Sequence, residues 1–104
     1  MAKTHSRHIQ PFSGTEKAFG EALREIRTGR DLSQEQLGLQ ADFDRTYISL
    51  IERGIQSPTV RTVVKLATIL QTRPSVIIRR MECILAAEGH DSAKPGKEPR
   101  RERR

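Results

Sequence analysis

Residues 33–54 carry the pattern that most restricts how this 104-residue chain folds, namely two short helical segments joined by a three-residue turn. Ser33 and Gln36 have the spacing of a capping box, which predicts that a helix begins directly after Ser33. Asp44 is placed to cap a second helix, which we expect to cover residues 45–53. The segment therefore predicts two helices that lie close together.

The second helix of this pair separates its side chains into two faces. At helical spacing, one face comprises Tyr47, Ile48, Ile51 and Glu52, and the other comprises Arg45, Thr46, Ser49, Leu50 and Arg53. The first face is mostly apolar, so we expect it to pack against the core. The second face carries guanidinium groups, two hydroxyls and a leucine, which are groups that contact base edges, phosphates and the methyl group of thymine.

Two further residues fit a unit of this kind. Gln34 stands at the start of the first helix, where free backbone N–H groups and a side-chain amide can bind a phosphate. Gly38 is small where the two helices must approach each other. An ordinary amphipathic hairpin would explain Leu37, Ile48 and Ile51 equally well. It would not explain two cap signals, a short turn and a polar outer face together, and the pattern therefore favours DNA binding.

The rest of the chain predicts three more helices and no strand, so the expected fold class is all-α. Capping residues are expected at Ser13, Thr59 and Ser75, and the helices that follow them are expected to end near residues 28, 71 and 88. The cap at Ser13 would be a capping box with Glu16, and the cap at Ser75 follows an interruption by Pro74. These segments together predict one five-helix domain over residues 13–88.

The net charge of +6 is concentrated at the two ends of the chain. Residues 1–12 contribute +2 and residues 89–104 contribute +3, whereas residues 13–88 contribute only +1. Residues 1–12 show no periodicity and are expected to form a flexible arm. Residues 89–104 contain no apolar residue larger than alanine and are expected to form a disordered basic tail. Basic tails are often only solvated, so the charge alone is weak evidence for a nucleic-acid partner.

The composition indicates a binding protein and not an enzyme. The single cysteine, Cys83, excludes an intramolecular disulfide and a cysteine-based zinc cage. The three histidines, His5, His8 and His90, lie in the expected flexible ends and can neither complete a metal site nor activate a serine. No apolar run approaches the length of a membrane span. We therefore expect no catalysis, cofactor, metal or small-molecule ligand, and a cytoplasmic, nucleoid-associated location.

Three segments carry distinctive sequence motifs, namely Leu-Ser-Gln-Glu-Gln-Leu at 32–37, Tyr-Ile-Ser-Leu-Ile-Glu-Arg-Gly at 47–54 and Ser-Pro-Thr at 57–59. They resemble the Cro and phage-repressor (XRE) family of helix-turn-helix regulators, and the similarity extends from about Phe19 to Ile78. The resemblance implies a lambda-repressor-like domain that binds a specific site in double-stranded DNA and regulates transcription, with residues 45–53 as the recognition helix in the major groove.

The resemblance also implies a role for individual side chains. It assigns base reading to Arg45, Thr46, Ser49 and Leu50, and phosphate binding to Gln34 and Arg53. It further implies a salt bridge between Arg27 and Glu52, two charged residues that lie on the core side of their helices and therefore need partners. We expect this pair to orient the recognition helix. Asp42 stands where the family usually has glycine, and aspartate tolerates the left-handed conformation that this position requires.

The last predicted helix suggests a homodimer. By the resemblance, the domain needs only the first turn of this helix to close its core. Met81, Ile84 and Leu85 would then have no partner within the domain and would form a dimer interface. A two-fold dimer would present two recognition helices about 34 Å apart to a palindromic operator. The alternative is that the helix folds back and completes the core of a monomer.

The resemblance leaves three kinds of regulator open. The chain is expected to be an ordinary operator-binding regulator, but two other classes share the fold. One is the antitoxin of a toxin–antitoxin pair, although the two short polar ends lack the apolar anchors that a toxin-binding segment usually carries. The other is a restriction–modification controller protein. Besides DNA and a second copy of the chain, the protein partner could therefore be a toxin or RNA polymerase.

Overall fold

Residues 14–88, which a computed structural model describes, form five α-helices. The helices are α1 (Thr15–Gly29), α2 (Gln34–Ala41), α3 (Arg45–Glu52), α4 (Val60–Ile69) and α5 (Pro74–Ala87). Residues 14–88 contain no strand, and the predicted five-helix all-α fold is confirmed. The expected arm at 1–12 and the expected tail at 89–104 lie outside the described residues. None of the described helices is long and apolar enough to cross a bilayer.

All five helices contribute apolar side chains to one core. The buried residues are Ala18, Phe19, Ala22 and Leu23 of α1, Leu37 and Ala41 of α2, Ile48 and Ile51 of α3, Leu66 and Ala67 of α4, Leu70 after α4, and Ile77 and Ile84 of α5. Helix α1 packs against both α3 and α5, so it is the central element of the domain. Helix α3 also packs against α2, so its position is determined by its contacts with both α1 and α2.

Three of the predicted helix caps are confirmed. The Ser33 hydroxyl accepts a hydrogen bond from the backbone N–H of Gln36, and the Gln36 side chain accepts one from the N–H of Ser33, which completes the capping box. The side chains of Asp44 and Thr59 accept hydrogen bonds from backbone N–H groups in the first turns of α3 and α4. Each cap satisfies N–H groups that have no partner inside the helix.

Two predicted helix starts are wrong. Gly14, with a φ of 94°, is the N-cap of α1 in place of the expected Ser13, which lies outside the described residues. Helix α5 begins at Pro74, with Arg73 as its N-cap, and not after Ser75. Proline is well suited to the first helical position because its fixed φ matches the helix and no N–H is needed there.

The expectation that the end of α5 has no partner within the domain is also wrong. Ile84 is only 7% exposed and belongs to the core, and Met81 and Leu85 are half-buried against it. The reason is that α5 packs along α1, which is fifteen residues long. Arg80 and Glu25 join the two helices, with Arg80 Nε donating to Glu25 Oε1 at 2.6 Å, and this hydrogen bond lowers the pKa of the Glu25 carboxyl.

Candidate nucleic-acid interface

Helix α3 divides its side chains between the core and solvent as its sequence pattern indicates. Ile48 and Ile51 are fully buried, and they fix the orientation of the helix about its axis. On the opposite side Arg45, Thr46 and Arg53 are exposed, and Ser49 and Leu50 are half-exposed. The structure thus brings the four residues expected to read bases onto one solvent-facing surface, which we call the reading face (Arg45, Thr46, Ser49 and Leu50).

The turn before α3 depends on a close approach of backbone to backbone. The N–H of Phe43 donates to the carbonyl oxygen of Gly38 at 2.8 Å. A Cβ atom on Gly38 would lie 2.7 Å from the carbonyl oxygen of Phe43, so glycine is required at this position. Asp42 adopts a φ of 61° and a ψ of 41°, the left-handed conformation expected for it. These features place Asp44 where it caps α3.

A second close approach connects α3 to α1 at Gly20. A Cβ atom on Gly20 would lie 2.3 Å from the carbonyl oxygen of Ile51 and 2.4 Å from that of Glu52. The backbone of α1 therefore lies directly against the last turn of α3. None of the sequence motifs includes Gly20. Its position inside a helix, where glycine costs about 1 kcal/mol relative to alanine, was the available signal.

A buried ion pair joins α1 to α3 beside this contact. Arg27 Nε donates to Glu52 Oε2 at 2.6 Å, and Arg27 Nη2 donates to Glu52 Oε1 at 3.0 Å. Arg27 Nη1 donates to the carbonyl oxygen of Leu32 at 2.7 Å. The two side chains are only 8% and 3% exposed. The pair is bidentate and its charges are fully compensated, so it holds the C-terminal end of α3 against α1.

Gln34 belongs to the same network. Its Nε2 donates to Glu52 Oε1 at 3.0 Å, which holds the amide at the first position of α2 next to the end of α3. A primary amide has two N–H donors, so the second remains for another acceptor. The geometry is compatible with the expected phosphate contact, because that contact does not require the bond to Glu52 to break.

An open groove lies between α1, α2 and α3, next to the ion pair between Arg27 and Glu52. The six residues that line it are Arg24, Arg27, Gln34, Ser49, Glu52 and Arg53. Arg24 was not singled out from the sequence, although it lies three residues before Arg27 and therefore on the same side of α1. The groove thus brings one exposed arginine of α1 next to Gln34 and Arg53.

The other edge of α3 is supported by aromatic packing. The rings of Phe43 and Tyr47 meet edge to face, with centroids 5.0 Å apart, and Lys65 Nζ lies 4.7 Å from the centroid of Phe43. Tyr47 is half-buried and not fully in the core. This cluster connects α3 through the turn to α4, so that the reading face is held from both sides.

The helix-turn-helix family HTH_3 matches residues 23–77, which is more than half of the chain and includes α2, α3 and α4. The chain belongs to this family. The XRE-type assignment made from the three sequence segments is confirmed, and this helix-turn-helix protein is a DNA-binding transcriptional regulator.

Curated relatives of this helix-turn-helix protein include three control proteins. It is 36% identical over 61 residues to control protein C.BamHI of Bacillus amyloliquefaciens, an alignment that covers 58% of this chain and 75% of that protein. It is 33% identical over 69 residues to control protein C.SmaI of Serratia marcescens, with coverage of 66% and 82%.

Two solved structures are also similar to this chain. The restriction–modification controller protein C.AhdI of Aeromonas hydrophila is 39% identical, with a TM-score of 0.57 and coverage of 59% of this chain and 92% of C.AhdI. The clp gene regulator ClgR of Corynebacterium glutamicum has a TM-score of 0.70 at 19% identity, with coverage of 71% and 79%, and shares the fold.

Proposed function

We propose that this regulator binds a specific, palindromic operator in double-stranded DNA as a homodimer, with residues 45–53 in the major groove. The observation that carries the proposal is the reading face. Two fully buried isoleucines and a buried ion pair hold α3 rigidly, and the opposite side of the same helix presents a guanidinium, two hydroxyls and a leucine to solvent. A rigid polar face of this kind fits base-edge readout in the major groove.

The proposed contacts divide into base reading and phosphate binding. Arg45 and Thr46 lie in the first turn of α3, the end that enters the major groove, and Ser49 and Leu50 follow one turn later. Gln34 and Arg53 both line the groove between the helices and bind the DNA backbone. The phosphate contacts fix the register of the protein on the duplex, and the base contacts select the sequence.

Replacing Arg45 by alanine is expected to reduce affinity for the operator by about 1–3 kcal/mol and to affect random DNA much less, because a guanidinium fork matches the O6 and N7 atoms of guanine. The operator is first obtained by selection from a pool of random duplexes, and affinities are then measured by fluorescence anisotropy. Arg79→Ala on α5 is the matched control, since it removes the same exposed side chain away from the reading face. An equal loss on operator and random DNA would show that Arg45 binds only phosphate.

The proposed dimer uses one edge of α5. Ile84 is removed from the expected interface because it lies in the core, whereas Met81 and Leu85 are only half-buried. They form a stripe with Ile78, which is 37% exposed, at spacings of three and four residues. A second copy packed on this stripe by a two-fold axis would cover it and would duplicate the reading face.

Sedimentation at micromolar concentration is expected to give about twice the chain mass of 11.8 kDa. Leu85→Glu should shift the protein towards the monomer, because a charge in the stripe would lose its hydration at the interface. Val64→Glu adds the same charge to the exposed face of α4 and should leave the dimer intact. Ile84→Glu is unsuitable because it would place a carboxylate in the core. A wild-type monomer would overturn the dimer and the palindromic operator.

A second, narrower proposal is that this chain controls a restriction–modification system. The observation that favours it is the similarity to the control proteins C.BamHI and C.SmaI and to the restriction–modification controller C.AhdI. The flanking genes test the proposal, because a restriction endonuclease and a DNA methyltransferase should be encoded next to this chain. A toxin gene in that position would contradict it. An operator-binding regulator and a restriction–modification controller both act on DNA, so the proposed location is the cytoplasm, at the nucleoid.

A further inference from the structure

The groove between α1, α2 and α3 holds more positive charge than the two proposed phosphate contacts explain. Its lining contains three guanidinium groups and one carboxylate, which leaves a net charge of +2. Arg27 is fully engaged, since it donates to both oxygens of Glu52 and to the backbone of Leu32. The excess charge therefore belongs to Arg24 and Arg53, at the rim.

Both rim arginines are available to a ligand. They are exposed, and neither makes an ion pair with any residue between 14 and 88. Lys17 and Glu25, two other exposed charges of α1, do have ion-pair partners, namely Glu21 and Arg80. Two unpaired guanidinium groups that border the same groove favour an anion between them.

Gln34 supplies the groove with a third donor, which is held in place. The bond from Gln34 to Glu52 fixes the amide, so its second N–H is positioned before any ligand arrives and loses little rotamer freedom on binding. Glu52 keeps this orientation because its own position is determined by Arg27. Glu52 is therefore a positioning residue for Gln34.

The identity of the anion follows from the residues that the groove shares with α3. Ser49 belongs to both the groove and the reading face, and Arg53 immediately follows the same helix. A duplex held against the reading face would therefore bring its backbone to the groove. We propose that Arg24 is a further DNA-binding residue, which clamps one backbone phosphate together with Gln34 and Arg53. This inference rests on the proposed DNA binding.

The test compares Arg24→Gln with the control Arg79→Gln, which removes the same charge from an exposed arginine of α5. Affinities for the selected operator and for a random duplex are measured by anisotropy between about 50 and 200 mM salt. Arg24→Gln should weaken both complexes about tenfold, as expected for one charge-assisted hydrogen bond. The slope of log K against log salt should become shallower by about 0.9, the change for one phosphate. Arg79→Gln should leave the affinities and the slope at their wild-type values.

A double-variant experiment tests whether Arg24 and Gln34 share one phosphate. If they do, Arg24→Gln should cost less affinity in a Gln34→Ala background than in the wild type, because the clamp is already incomplete. If each substitution reduced DNA affinity by the same factor in the presence and in the absence of the other, the shared site would be overturned. Equal binding by Arg24→Gln and Arg79→Gln would overturn the role of Arg24 and leave the proposed function intact. Failure of the wild type to bind any duplex would overturn the proposed function and the clamp together.

Discussion

Replacing Gly20 by alanine is expected to lower the free energy of unfolding by about 3 kcal/mol or more, which is a large part of the stability of so small a domain. The added Cβ would lie within 2.7 Å of three backbone atoms, the carbonyl oxygen of Ile51 and the carbonyl carbon and oxygen of Glu52. No flexible side chain can move aside, so α1 and α3 must separate. Separation would also stretch the ion pair between Arg27 and Glu52.

Gly29→Ala is the matched control for this experiment. A Cβ at Gly29 meets no atom within 4 Å, and alanine is a better helix former than glycine. This variant should be as stable as the wild type or more stable by up to about 1 kcal/mol. Both variants are compared by urea denaturation followed by circular dichroism. A Gly20→Ala protein with wild-type stability would show that the helices are not in contact at this point.

Replacing Arg27 by methionine is expected to reduce the free energy of unfolding by about 3–5 kcal/mol. The change would leave the Glu52 carboxylate buried, with only Gln34 as a hydrogen-bond donor to it. Glu52→Leu should be comparably destabilising, because it would leave the Arg27 guanidinium buried without a counter-ion. The double variant Arg27→Met with Glu52→Leu should recover most of the loss, since an apolar pair of similar volume has no charge to desolvate.

The double variant also separates the structural role of the pair from its role in binding. It should fold, yet Gln34 would lose the acceptor that orients its amide, so DNA affinity should fall while the unfolding transition remains cooperative. Denaturant unfolding and anisotropy on the selected operator measure the two effects independently. A double variant as unstable as either single variant would show that the pair stabilises the fold by more than mutual neutralisation. Wild-type DNA affinity in a folded double variant would contradict the positioning role of Glu52.

Much of the site was predictable because its signals are local in the chain. The caps at Ser33 and Asp44 satisfy donors two or three residues away, and the left-handed turn at Asp42 depends on that residue itself. The two faces of α3 follow from helical spacing alone. The ion pair between Arg27 and Glu52 was implied by the family resemblance, since spacing shows only that each charge lies on the core side of its own helix.

The failures at the helix starts have a different physical cause. A serine followed three residues later by glutamate is compatible with a cap, but the backbone conformation of Gly14 decided where α1 begins. At α5 the sequence offered both Pro74 as an interruption and Ser75 as a cap, and the proline became the first residue of the helix. A residue with a capping side chain caps a helix only where the local backbone conformation lets the helix begin next to it.

The sequence by itself determined the class of the fold, the helix-turn-helix unit and the face of α3 that meets solvent, because each depends on residues within one or two turns of one another. Only the tertiary structure decided that Gly20 lies against the end of α3, that Ile84 is buried on α1 and that Arg24 borders the same groove as Gln34 and Arg53. These facts depend on how α1 packs against α3 and α5. Contacts between helices distant in sequence are determined by the shape of the whole core, which no local pattern encodes.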